Sequence, residues 1–116
     1  GYEPNFRWTK PTVAMFNEAN YSDGHCFACG YKELGIGTTI GMPVPGTCSY
    51  AGWEMLQDGE TMWGAVPVST KDINGNWLEN VETVPDVQVK NEPAVISNGR
   101  DQQLERAVEE LLKVVK

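Results

Sequence analysis

Residues 12–24 read Thr-Val-Ala-Met-Phe-Asn-Glu-Ala-Asn-Tyr-Ser-Asp-Gly, so that a short apolar run is followed at once by a polar turn. The run Thr12–Phe16 is rich in β-formers and apolar at successive positions, which is typical of a central strand buried on both faces. Ser22 and Asp23 carry side chains that often begin helices, and apolar residues recur after them at helical spacing. This stretch therefore predicts a strand, a polar turn and a helix.

The residues that follow extend this unit into an α/β fold. Gly35-Ile36-Gly37 ends the predicted helix and Thr38–Gly41 forms a second short strand. A helix that connects two short apolar strands predicts a right-handed βαβ unit. Between residues 48 and 78, the pairs Asp58-Gly59 and Asn74-Gly75 are typical of hairpin turns and predict a β-hairpin region.

An amphipathic helix is predicted at the end of the chain. Asp101 supplies a capping side chain, and the apolar residues after it fall on one helical face while charged residues take the other. The apolar positions are Leu104, Ala107, Val108, Leu111, Leu112 and Val115. A helix of this kind needs an apolar partner to pack against.

Composition excludes several classes of partner. The chain has 116 residues, 41% of them apolar, which suits one domain or a part of one. Its net charge is −7 and its Lys and Arg residues are scattered, so neither nucleic acid nor an anionic membrane surface is an expected partner. The apolar runs are much shorter than the roughly 20 residues that a membrane span requires.

Ser22 is the first candidate for chemistry. A serine between a strand and a helix is held firmly, and the helix amides face the place where an oxyanion would form. The amide of Asp23, the next residue, would be a natural oxyanion-hole donor. The plainer alternative is that Ser22 and Asp23 only cap the helix.

His25-Cys26-Phe27-Ala28-Cys29 leaves three interpretations open. His25 and the two cysteines offer three metal ligands, but zinc prefers four. Cys26 and Cys29 form a Cys-x-x-Cys pair near a helix start, as in thiol redox proteins. They can also be ordinary core residues, which we favour. Three cysteines in the chain leave the cellular compartment open.

Four blocks stand out along residues 12–115, in this order: Asn17-Glu18-Ala19-Asn20-Tyr21-Ser22-Asp23-Gly24; Lys32-Glu33-Leu34-Gly35-Ile36-Gly37-Thr38-Thr39-Ile40-Gly41; Leu78-Glu79-Asn80-Val81 with Val84-Pro85-Asp86-Val87; and Asp101-Gln102-Gln103-Leu104-Glu105-Arg106-Ala107. Together they resemble the C-terminal part of the catalytic domain of the tricorn and tail-specific (carboxyl-terminal processing) serine peptidases. The resemblance implies that Ser22 is the nucleophile, that the Asp23 amide contributes to the oxyanion hole, and that Glu79 orients a catalytic histidine.

The same resemblance implies that part of the machinery lies elsewhere. In tricorn-type enzymes the histidine and a second, glycine-supplied oxyanion donor precede the nucleophile strand, whereas His25 follows Ser22 and is interpreted as a helix residue. In the tail-specific branch the base is a lysine, and its position falls at Thr47 here. The Ser-His-Glu branch is therefore favoured.

The expected molecule is thus residues 1–116 as the C-terminal portion of a serine peptidase catalytic domain, part of a crotonase-like (ClpP-like) α/β fold. It would hydrolyse peptide bonds through an acyl-enzyme with no metal or organic cofactor, but be inactive alone because the base is absent. Its expected partners are a peptide or protein substrate, the upstream half of the domain, and a second copy in a homodimer, which could form by swapping. The alternatives are a non-catalytic interaction module on the same scaffold and a thiol redox protein that uses Cys26 and Cys29.

Overall fold

The structure, a computed structural model, describes residues 8–115, except for the side chains of residue 63 and residues 65–67. Its elements are the strands β1 (Val13–Phe16), β2 (Thr38–Gly41), β3 (Ser49–Met55), β4 (Met62–Ser69) and β5 (Val87–Gln88), and the helices α1 (Asp23–Glu33), α2 (Pro93–Ile96) and α3 (Gln102–Val114). This mixture of strands and helices confirms the predicted α/β class. No helix within the described range has the length and apolar character needed to cross a membrane.

A parallel sheet forms the centre of the fold, with the strand order β1-β2-β5. Val13 pairs with Thr38 and Phe16 with Gly41, so α1 connects two parallel neighbours. Gly41 lies so close to β1 that an added Cβ would stand 1.8 Å from the Phe16 carbonyl oxygen, and its φ is +131°. Only glycine allows this approach of the two backbones.

A separate antiparallel ribbon is made by β3 and β4, with Met55 opposite Met62 and Ser49 opposite Ser69. The connecting turn contains Gly59 at φ +72°. The side chain of Asp58 accepts hydrogen bonds from the Glu60 and Thr61 amides. These contacts explain why an Asp-Gly pair occupies this turn, since Asp holds the local amides and Gly tolerates the positive φ.

The prediction that the first strand is buried on both faces is wrong for β1. Ala14 and Phe16 are buried, but Met15 remains 44% exposed. The buried face contacts α1, where Phe16 clusters with Ala28 and Val44. Among the described strands β1 pairs only with β2, so it is an edge strand whose other face is incompletely covered.

The predicted terminal helix forms as α3, but most of the apolar residues on its predicted face do not pack against the sheet. Asp101 caps α3 by accepting a hydrogen bond from the Leu104 amide, and α3 packs on β1 and β2. The buried residues are Gln103 and Ala107, and the Gln103 side chain donates to the Val89 carbonyl. Leu104, Val108, Leu112 and Val115 stay about half exposed or more. Periodicity identified an apolar face correctly, but the described part of the chain supplies no cover for it.

Asp86, the residue before β5, connects that strand to β2 and α1 through its carboxylate. Its carboxylate accepts from the Thr39 amide at 2.9 Å and the Thr39 hydroxyl at 2.7 Å, and Lys32 Nζ lies 2.9 Å away. Burial alone would raise the pKa of Asp86, but the hydrogen bonds from Thr39 and Lys32 outweigh it and lower the pKa. The charged carboxylate is therefore part of what holds β5 in the sheet.

The Asp86→Asn variant should lower the free energy of unfolding at pH 7 by about 1 kcal/mol, because a charged acceptor is lost at a half-exposed site. Since the folded pKa is depressed, this contribution is present above the unfolded pKa of about 3.9 and is lost as the pH falls through the folded pKa. Urea unfolding at pH 7 and pH 3 measures the difference between wild type and variant, which should shrink at pH 3. Glu54→Gln, at an exposed strand position, is the control. A difference that stays constant over this range contradicts the role of the charge.

Candidate active site

Ser22 lies immediately before α1 and six residues after Phe16, the last residue of β1, in an unusual backbone conformation. Its φ is 52° and its ψ is −111°, and the Gly24 amide donates to the Tyr21 carbonyl at 2.9 Å. This is the geometry of a type II′ turn with Ser22 as its first central residue, a position that favours glycine. A non-glycine residue here costs about 1–3 kcal/mol of backbone strain, and such strain is concentrated at functional sites.

The hydroxyl of Ser22 does not cap the helix. Ser22 occupies the N-cap position of α1, yet its side chain makes no capping hydrogen bond. Helical capping is instead carried by backbone contacts, since the His25 and Cys26 amides both donate to the Ser22 carbonyl. The plain capping interpretation therefore does not explain why a serine stands at this position.

Two backbone amides at this turn, those of Ser22 and Asp23, differ in whether they have a hydrogen-bond acceptor. The Ser22 amide donates to Thr47 Oγ1 at 2.9 Å, which fastens the turn to the segment that precedes β3. For the Asp23 amide, no acceptor is found among the described residues. An amide without an acceptor at the first position of a helix, next to a hydroxyl that makes no hydrogen bond within the described residues, is a competent donor to an anionic oxygen.

His25 is completely buried and uses both ring nitrogens. Its Nδ1 accepts from the Thr47 amide at 3.1 Å and the Cys48 amide at 2.9 Å, while its Nε2 lies 2.9 Å from the Thr83 hydroxyl. Because two N–H groups point at Nδ1, the ring is the neutral tautomer with its proton on Nε2. Burial lowers the pKa of His25, although the nearby Glu79 charge opposes this. His25 thus has no free nitrogen with which to serve as a base.

Glu79 contacts the same stretch of backbone that holds the Ser22 turn, residues 46–49. Its carboxylate accepts a hydrogen bond from the Ser49 hydroxyl. Gly46, on the other side of Thr47, packs so tightly on the loop after Glu79 that an added Cβ would stand 2.1 Å from the Val81 nitrogen. Residues 46–49, here called the anchor segment, therefore contact both the serine turn and the Glu79 loop.

A disulfide links Cys26 of α1 to Cys48 of the anchor segment. The redox pair predicted as an alternative is therefore wrong, since Cys26 is bonded to Cys48 and Cys29 is the free, buried thiol. Burial raises the pKa of the Cys29 thiol and Glu33 raises it further, so this thiol is protonated at neutral pH. The described residues also contain no group of three His, Cys, Asp or Glu side chains that could hold a metal ion.

Sequence reasoning missed the anchor segment as a structural unit. The sequence marks Thr47 only as the position of a lysine in the tail-specific enzymes it resembles, and no local pattern pairs Cys48 with Cys26. The available signal was the presence of a third cysteine, Cys48, because three cysteines raise the question of which two are bonded. His25 gave no signal, since its three partners are distant in sequence.

Comparison with known proteins gives consistent similarities. Residues 1–89 match the sequence profile of peptidase family S41. The chain is 32% identical over 103 residues to the tricorn protease of Thermoplasma volcanium, and 32% identical over 99 residues to tricorn protease homolog 1 of Streptomyces coelicolor. These matches cover 88% and 84% of this chain but 10% and 9% of the relatives, so the chain spans about a tenth of their length. A crystal structure of the tricorn protease superposes with a TM-score of 0.81 at 24% identity, covering 97% of this chain and 12% of that one.

Reduction of the Cys26–Cys48 disulfide should lower the free energy of unfolding by about 3 kcal/mol, because the bond closes a loop of 22 residues. Urea unfolding with and without a phosphine reductant measures the effect, and thiol titration of the unreduced, unfolded chain should find one free thiol. The Cys48→Ser variant should not respond to reductant, whereas Cys29→Ser should respond like wild type. A wild-type chain that is insensitive to reductant would contradict the bond.

Proposed function

The chain belongs to peptidase family S41, and on this basis we propose that it supplies the nucleophile of a serine peptidase, Ser22, which cleaves peptide bonds through an acyl-enzyme. The observation that carries the proposal is the strained turn, in which Ser22 has a φ of 52° and a hydroxyl that does not cap α1. Nucleophilic serines in other hydrolases occupy similarly strained strand-to-helix turns. A serine that occupies a costly backbone conformation, and whose hydroxyl does not cap the helix, is best explained by its chemistry.

The reaction follows from the groups around this turn. Ser22 Oγ attacks the scissile carbonyl and gives its proton to a histidine base, and the Asp23 amide donates a hydrogen bond to the resulting oxyanion. Collapse breaks the C–N bond, and the base returns the proton to the departing amine. Water then attacks the Ser22 ester, releases the acid product and restores the hydroxyl. Glu79 is the carboxylate that orients the base.

The base itself comes from outside these 116 residues. His25 is the sole histidine of the chain, and its two ring nitrogens are occupied in the core. Thr47, at the position of the lysine in tail-specific enzymes, cannot take up a proton at neutral pH. We therefore assign the base and a second oxyanion donor to an upstream half of the catalytic domain, in agreement with the short span of this chain in its relatives.

The open surfaces of the fold support the same division. The edge of β1, the exposed Met15 and the uncovered stripe of α3 form the side on which an upstream half would pack. Residues 1–116 would then be the C-terminal portion of a crotonase-like catalytic domain, with a peptide or protein as substrate. Without that half, an unpaired strand edge recruits other chains, and a swapped homodimer is the form expected of the isolated chain.

Fluorophosphonate labelling tests the nucleophile directly. A polypeptide that extends this chain through the upstream half, called the extended polypeptide below, should be labelled on Ser22, as located by peptide mass spectrometry. The 116-residue chain alone should not be labelled, because no base activates the hydroxyl. Ser22→Ala should abolish labelling and lower kcat for peptide hydrolysis by at least about 10³-fold.

Ser97→Ala is the matched control, since Ser97 is an exposed serine at the end of α2 whose hydroxyl donates to the Ala94 carbonyl of that helix. This variant should be labelled at the wild-type rate. An extended polypeptide that folds, binds peptides and yet is never labelled at Ser22 would favour the non-catalytic interaction module. Labelling of the 116-residue chain by itself would show that the base is not external.

A further inference from the structure

We propose that His25 is a positioning residue for Ser22, acting as a neutral hydrogen-bond acceptor that fixes the anchor segment against α1. The inference rests on the proposed role of Ser22 as a nucleophile. His25 does not touch the reacting atoms. It acts through Thr47. The Thr47 amide donates a hydrogen bond to the His25 ring, and the Thr47 hydroxyl accepts one from the Ser22 amide.

The hydrogen bonds around His25 form a closed circuit. Ser22 and His25 are joined along the first turn of α1, because the His25 amide donates to the Ser22 carbonyl at 2.9 Å. Nδ1 of the His25 ring accepts a hydrogen bond from the Thr47 amide. The Thr47 hydroxyl oxygen in turn accepts a hydrogen bond from the Ser22 amide at 2.9 Å, which closes the circuit. Any movement of the anchor segment away from His25 is therefore transmitted to the amide of the strained residue.

The acceptor at Nδ1 satisfies two donors at once. The Thr47 and Cys48 amides are adjacent in the chain, and Cys48 is buried, so loss of their acceptor would leave two N–H groups unpaired. The disulfide from Cys26 holds one point of the segment, but it reaches Cys48 and not Thr47. The orientation of the Thr47 hydroxyl towards Ser22 then depends on the His25 ring.

Protonation of His25 would convert the acceptor into a donor facing two other donors. Burial lowers the pKa of this imidazole, and Glu79 is the charged group that opposes the shift. The remaining groups at the ring, which are the Thr47 and Cys48 amides and the Thr83 hydroxyl, are neutral. Because the folded pKa is depressed, the contribution of the neutral ring is present above the unfolded pKa of about 6.5 and is lost as the pH falls through the folded pKa.

Two variants separate the functions of the two ring nitrogens. In His25→Asn the side-chain oxygen stands near the place of Nδ1 and can still accept from the anchor segment, but the contact to Thr83 is lost. In His25→Gln the amide nitrogen can reach Thr83 as Nε2 does, but the acceptor at Nδ1 is lost. Each variant replaces the same buried ring and removes the hydrogen bonds of one ring nitrogen. The loss of core packing should therefore be similar in both variants.

The first measurement is amide hydrogen exchange by NMR on the 116-residue chain, with the Ser22 amide compared with that of Ile40 in the buried strand β2. The ratio of the Ser22 rate to the Ile40 rate should rise at least about tenfold in His25→Gln and stay within about threefold of wild type in His25→Asn. In wild type the Ser22 exchange rate itself, after correction for intrinsic exchange, should rise as the pH falls below the unfolded pKa of about 6.5, because the open state then binds a proton, and in His25→Asn this rise should be absent. Ile40 reports global opening, so a variant that is merely less stable does not mimic the result.

The second measurement is the rate of fluorophosphonate labelling of the extended polypeptide at pH 8, where His25 is neutral in any case. We expect labelling of Ser22 to be roughly 10–100-fold slower in His25→Gln and close to wild type in His25→Asn, because displacement of a reacting group by about 1 Å has effects of this size. Equal rates in wild type and His25→Gln, or equal losses in both variants, would overturn the positioning role. If exchange changes as expected while wild type itself is not labelled, the proposed function fails and the positioning of the Ser22 backbone stands.

Discussion

The attachment of the anchor segment to the first turn of α1 is the interaction on which this structure depends. Within one helical turn, the Ser22 amide, the His25 ring and the Cys26 sulfur each bind a residue of that segment. A hydrogen bond alone is worth about 1 kcal/mol in water-exposed surroundings, but buried donors that lose their acceptor cost more. The combination of a covalent bond with buried hydrogen bonds makes the attachment stiff. It can therefore hold Ser22 in a backbone conformation that the residue would not adopt by itself.

The same segment explains why residues distant in sequence meet. Gly46 lets the loop after Glu79 approach closely, and Ser49 binds the Glu79 carboxylate. The βαβ unit sets the position of the helix, and the anchor segment then contacts both the serine turn and the Glu79 loop. In this arrangement Ser22, the proposed nucleophile, and Glu79, the proposed acid, are supported by a common piece of backbone. Substitutions in residues 46–49 should consequently affect both groups together.

The sequence was informative where local chemistry determines structure. The change from an apolar run to a polar turn at Asn17 predicted the strand, the turn and the helix, and the four sequence blocks that resemble the peptidases predicted the family. It was uninformative where contacts join distant residues. The exposure of Met15 depends on what packs against its face of β1, and the exposure of the apolar stripe of α3 likewise depends on what packs against that helix. The bond between Cys26 and Cys48 and the three partners of His25 are products of the tertiary fold, which no local pattern encodes.

The central claim is that Ser22 is a nucleophile whose oxyanion is bound by the Asp23 amide. A crystal structure of the extended polypeptide with a peptide boronic acid tests it most directly, because boron forms a tetrahedral adduct that mimics the transition state. We predict a covalent bond from Ser22 Oγ to boron, with one boronate oxygen about 2.7–3.1 Å from the Asp23 nitrogen. Boron bonded to another residue, or an Asp23 amide that points away from the adduct, would contradict the account.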